Sequence, residues 1–223
     1  MNKKTLAIFV VSMVLVCALS IMGTIAYLTG KSETVTNTFI SGNVTISLDE
    51  AEMNAEGTAL VDPAARTSEG NSYKMIPGTK YTKDPTITIE DGSENCYIGA
   101  IITVDNADLL PDDFAVALDT FGIELEQGWS VVKTTEVKDG ETVTAWQFAV
   151  VYDELCEVAD EVVIFDEITI PDFTNEELAT AIGDTEKVKI DVTGYAVQAT
   201  GFESEAAPAK AALAGGFPEF ANA

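Results

Sequence analysis

The sequence reads as a mainly β protein, an antiparallel jelly-roll-like β-sandwich with two short inserted helices, preceded by an N-terminal signal helix. Three observations carry this reading. Short apolar/polar alternations recur between residues 37 and 200. Gly, Pro and Asp turn signals fall between them. A single long apolar run stands near the N-terminus, just behind Lys3 and Lys4.

The elements follow in order. Residues 1–5 are a short positive region and 6–22 an apolar run, longer than a signal core of ~7–15 residues and shorter than a membrane span of ~20. Gly23 and Thr24 break that run, and Thr24-Ile25-Ala26 places small residues for a cut between Ala26 and Tyr27. The alternative is an anchor that is never cleaved. Residues 37–49 read as a strand, with Val44, Ile46 and Leu48 alternating with polar neighbours. Residues 51–72 read as a polar, acidic loop, and Pro77-Gly78 as a turn. Residues 85–90 and 96–105 read as strands around a turn at 91–95, with Ile98, Ala100, Ile102 and Val104 on one face.

Residues 111–122 switch to helical period, with Phe114, Leu118 and Phe121 on one face and Gly122 as a stop. Residues 129–153 read as a hairpin turning at Lys138-Asp139-Gly140. Residues 161–171 read as one strand and 186–200 as the longest. Between them 174–183 read as a short helix, with Thr174 and Glu177 as a capping box and Gly183 as its end. The chain thus divides into a signal peptide (1–26), a leader and candidate donor strand (27–43), a sandwich domain (44–202) and a flexible Ala/Gly/Pro-rich tail (203–223).

Composition narrows the function. With 12 basic against 37 acidic residues the net charge is −25, which repels phosphate backbones, so nucleic acid is not an expected partner. The chain has no histidine, which removes Ser-His-Asp, Cys-His and HExxH chemistry. Acidic clusters at 90–95, 105–113 and 153–161 read as solvated surface, with calcium the one cofactor left open for an exported chain. A carboxylate pair for glycoside hydrolysis has no motif to select it. Trp129, Trp146, Tyr97, Tyr152 and Tyr195 read as core and strand-flanking residues, with sugar stacking as the alternative. Cys17 lies in the apolar run. Cys96 and Cys156 are either an exported disulfide or two buried thiols, and both readings stay open.

Residues 23–48, GTIAYLTGKSETVTNTFISGNVTISL, resemble the N-terminal signature of the TasA/camelysin family. The resemblance rests on Gly23, Thr24, Ala26, Tyr27, Thr29, Asn37, Thr38, Phe39, Gly42, Asn43 and Val44. Residues 75–106 resemble the family's Pro-Gly turn, basic-Asp pair and following strands, and 190–202 its last strand. The resemblance implies a jelly-roll-like protein secreted to the cell surface or biofilm matrix of a Gram-positive bacterium. A SipW-type signal peptidase would process it, and self-association or contact with matrix or cell-wall components would follow. It further implies fibre assembly by donor-strand complementation, here with Tyr27, Leu28, Val35, Phe39 and Ile40 as the apolar residues of the donor. The metalloprotease activity associated with camelysin-type members is not carried over, because the chain has no histidine. The expected function is therefore a non-enzymatic, self-assembling structural protein. The alternatives are a monomeric surface module for carbohydrate or calcium, and a secreted acidic hydrolase.

Overall fold

A computed structural model describes residues 43–107, 117–172 and 188–199, together with residues 213, 214, 217 and 220. The chain divides into the units Met1–Ser41 and Gly42–Ala223, and all described residues belong to the second.

The described body is mainly β, and every strand pairing in it is antiparallel. One sheet has the order β2-β1-β4-β8, formed by Arg66–Thr67, Ile46–Ala51, Thr86–Ile89 and Glu161–Val163. The other has the order β10-β5-β7-β6, formed by Lys189–Gln198, Cys96–Asp105, Thr142–Tyr152 and Trp129–Asp139. Lys80–Thr82 (β3) and Glu167–Thr169 (β9) make a separate two-stranded ribbon.

The period-2 pattern explains how the two large sheets share a core. Ile98, Ala100, Ile102 and Val104 of β5 are all fully buried on one face, as the alternation requires. Phe148 and Val150 of β7 lie in the same cluster, which Ile87 and Ile89 of β4 enter from the other sheet. Gly194 of β10 lets the sheets approach closely, since a Cβ there would stand 3.3 Å from Ile46 and Ile87. Trp129 closes one end; its indole N–H donates to the carbonyl of Val163 at 2.9 Å, tying β6 to β8 across the sheets.

Several expectations need correction. The strand read over 161–171 is two short strands in different sheets. Consecutive Ile164 and Phe165 are both fully buried, and the chain crosses between sheets there. The loop read over 51–72 contains β2 and a bridge between Met53 and Leu60. The helix expected over 111–122 is, in its described part, a single 3-10 turn at Leu118–Phe121. Ala117 is extended at φ −137°, so the turn starts only at Leu118, and Gly122 at φ 62° ends it. Residues 111–116 and the helix expected over 174–183 lie outside the described residues.

The hairpin is as expected, but its turn sits one residue later. Asp139 pairs with Thr142, so Gly140, at φ 64°, and Glu141 make the connection. The described residues of the expected flexible tail are packed: Leu213 and Phe220 are fully buried. Their apolar side chains find a second apolar face on the outer side of β5 and β7.

Candidate functional site

Ala26, Tyr27, Leu28, Val35, Phe39 and Ile40 lie outside the described residues. The structure does describe how residues 43–45 join the body. The carbonyl of Asn43 accepts from the amide of Glu94 at 2.9 Å. The amide of Thr45 donates to Ser93 Oγ, and that hydroxyl donates back to the Thr45 carbonyl, both at 2.9 Å. Residues 43–45 are therefore pinned to the 91–95 turn, and β1 follows at once.

Cys96 and Cys156 are brought face to face. They form an isolated antiparallel bridge and exchange both backbone hydrogen bonds, at 3.0 and 2.9 Å. Both are free thiols and buried. Burial pushes the Cys96 thiol up to about 11. Burial, and then the neighbouring Cys96, push the Cys156 thiol up to about 12. A hydrogen-bonded cross-strand pair keeps its side chains farther apart than a non-hydrogen-bonded one, with Cβ atoms toward about 5.5 Å where a disulfide takes about 3.5–4.5 Å. The pair stands as two buried free thiols, in a register that does not favour a disulfide.

The densest polar constellation lies at the end of β1, and the sequence reading did not single it out. Glu50 continues the inward face of Ile46 and Leu48, while Lys83 continues that of Tyr81, so alternation buries two charges. They neutralise each other: Lys83 Nζ donates to Glu50 Oε2 at 2.6 Å, and each residue is 6% exposed. Glu50 Oε1 accepts from the Asn71 side-chain amide at 2.9 Å, which also donates to the Ala51 carbonyl at 2.8 Å. The Tyr73 hydroxyl is buried beside Asn71 without a well-formed hydrogen bond, and burial, then Glu50, raise its pKa. A cavity of about 330 Å³ opens here, with Tyr73, Lys83, Phe121, Ile168 and Ile190 among its walls. Lys83 and Asp84 fall in the basic-Asp pair of the second resemblance block, which was the available signal.

Beside this pair, Arg66 of β2 staples β1 to the start of β4. Its Nε donates to Asp49 at 2.8 Å, its Nη1 to Asp84 at 2.7 Å and its Nη2 to Thr86 Oγ1 at 2.8 Å. Desolvation works against its charge, but the bonds to Asp84 and Asp49 outweigh it and raise its pKa. Glu50, Lys83, Arg66, Asp49 and Asp84 are paired among themselves, so these charges hold strands together.

No family model, curated protein or solved structure matches this chain. The site is therefore read from its own chemistry. Among the described residues no group of three or more Cys, Asp or Glu is placed to hold a metal ion. Asp160 instead accepts from the Glu157 amide at 2.7 Å, and Glu90 accepts from the Ser47 hydroxyl at 2.5 Å. Of the aromatic residues weighed for sugar stacking, Trp129 and Tyr97 are buried. Trp146, Tyr152 and Tyr195 are partly buried against apolar clusters. Among the described residues no helix is long and apolar enough to cross a membrane.

Proposed function

We propose that this chain is an exported, non-enzymatic structural protein of the cell surface or biofilm matrix, of the TasA/camelysin kind. It assembles by lending residues 27–43 to a neighbouring copy. The observation that carries this reading is the 23–44 block, which resembles the leader pattern and ends two residues before β1 in the sequence. The jelly-roll connection of the sheets and cleavage after Ala26 by a SipW-type peptidase belong to the same reading.

The body offers what such a donor needs. Among the described residues the edges of the sheet β10-β5-β7-β6 are β10 and β6. An edge strand carries backbone groups that template another chain. β6 is poorly suited, because Val132 bulges out of its register with β7 and Lys133 and Lys138 stand along it. β10 pairs with β5 over ten regular positions and is the acceptor proposed.

Electron microscopy of the purified mature protein, with and without 27–43, tests the proposal. Filaments that vanish on deletion are expected. A protein that stays monomeric across concentration, pH and calcium, whether or not 27–43 is present, would overturn it. N-terminal sequencing of the exported chain is expected to begin at Tyr27. A retained Met1 would make the protein membrane-anchored.

A further inference from the structure

The sheet β10-β5-β7-β6 is apolar on its outer face as well as its inner one. Ile101, Ala149 and Val151 are buried there, with Tyr195 and Val197 beside them. Leu213, Phe217 and Phe220 cover this face, and Leu213 and Phe220 are fully buried. Their spacing of four and three residues is that of one helix face. The Phe217 amide donates to the Leu213 carbonyl at 2.7 Å, and the Phe220 amide to the Phe217 carbonyl at 3.1 Å.

The seat is shaped to these side chains. Gly99 lies inside the central strand, where a glycine weakens a sheet and marks a close approach. A Cβ at that position would stand 2.7 Å from the Phe220 ring and 3.0 Å from Leu213 Cδ1. Tyr195 meets Phe217 and Phe220 edge-on, with ring centroids 5.1 and 5.3 Å apart. Both of those backbone hydrogen bonds run within the segment, so leaving the seat breaks neither of them.

We propose that this outer face is a self-association site, separate from residues 27–43 and independent of the reading given to them. The seat that holds Leu213, Phe217 and Phe220 of its own chain takes the same three side chains from a second copy. Complementarity is already built, because every contact made within one chain is available between two. Residues 200–212 join the seat to its segment and span about 45 Å at full extension, enough to reach a neighbour. A connection of this length would give an effective concentration in the millimolar range if it behaves as a short flexible linker. The intramolecular clasp therefore wins in dilute solution, and exchange appears where copies are crowded.

The test uses two full-length variants that complement each other. Leu213→Ser/Phe217→Ser/Phe220→Ser vacates the seat. Gly99→Val blocks the seat and leaves the segment intact. Association is read by light scattering of each variant alone and of their equimolar mixture, after circular dichroism confirms that both fold. Both variants carry 27–43, so any assembly through that segment is common to all three samples. A 1:1 complex present in the mixture beyond either component is expected. A labelled peptide of residues 209–223 is expected to bind the vacated variant at least tenfold more tightly than wild type, and Gly99→Val added to that variant should abolish binding. A mixture that associates no more than its components overturns the proposal, even if the peptide binds. If the triple change prevents folding, Phe220→Ser alone vacates the Gly99 contact, and Gly99→Ala replaces valine for the same reason.

Discussion

Replacing Lys83 by Met tests whether the charges at the end of β1 are buried as a compensating pair. Methionine keeps the length and most of the volume of the side chain but leaves Glu50 without its ammonium partner. Both residues are 6% exposed and their charged atoms are 2.6 Å apart, so Glu50 has little recourse to water. Breaking a buried pair from one side costs about 3–5 kcal/mol. For a body the size of Gly42–Ala223, that corresponds to a fall in Tm of roughly 6–20 °C. Adding Glu50→Gln should recover most of the loss. It removes the stranded charge while preserving an acceptor for the Asn71 amide, which sits 2.9 Å from Glu50 Oε1. Lys80→Met is the control: Lys80 pairs with Glu167 on the surface with 64% of its side chain exposed, and its loss should leave Tm unchanged. Urea unfolding and calorimetry of the three variants beside the wild type decide the matter. A Lys83→Met cost below about 1 kcal/mol, or a further loss on adding Glu50→Gln, would refute the buried-pair account.

Three other outcomes follow from the same geometry. Gly57→Ala should cost far more than Gly140→Ala. Both glycines have φ near +63°, but a Cβ at Gly57 would stand 2.5 Å from the Ser72 carbonyl, whereas Gly140 faces open space and should lose only about 1–2 kcal/mol by thermal unfolding. The thiols Cys96 and Cys156 should resist alkylation at pH 8 in the native state. Their ordinary value of 9.0 is raised by burial to about 11 and 12, so above pH 9 the unfolded chain releases protons that the native chain keeps, and stability falls up to those values. The drop in urea midpoint between pH 8 and 10.5 should shrink in Cys96→Ala/Cys156→Ala. Trp129→Phe keeps an aromatic ring of smaller size but orphans the Val163 carbonyl, and should cost at least about 1–3 kcal/mol in chemical denaturation.

What could be read from the chain depended on whether a local period matched the tertiary environment. β5 was legible because Ile98, Ala100, Ile102 and Val104 face one core and alternate with Gly99, Ile101 and Thr103. The hairpin was legible from Asp139-Gly140, although a turn chosen by strand register fell at Gly140-Glu141. β2 and β3 were not, since strands of two and three residues show no period. The Glu50–Lys83 pair was not legible because each residue is distant in sequence from the partner that permits its burial. The clasp was hidden by composition: Leu213, Phe217 and Phe220 have helical spacing, but the Ala, Gly and Pro around them spoke for a tail.

The charge of the chain fits both proposed contacts. At a net charge of −25, copies repel one another over distances set by the Debye length, about 10 Å at 0.1 M salt. Random hydrophobic association is opposed at that range. Backbone pairing along an edge such as β10, and the seating of three apolar side chains around Gly99, act only at contact and only in register. A surface that repels at a distance and binds at specific contacts favours ordered assembly over precipitation. The same logic explains the placement of lysines and a bulge along β6. With only 12 basic residues in the chain, putting Lys133 and Lys138 on one edge protects the strand where unwanted pairing with another sheet would otherwise be most open.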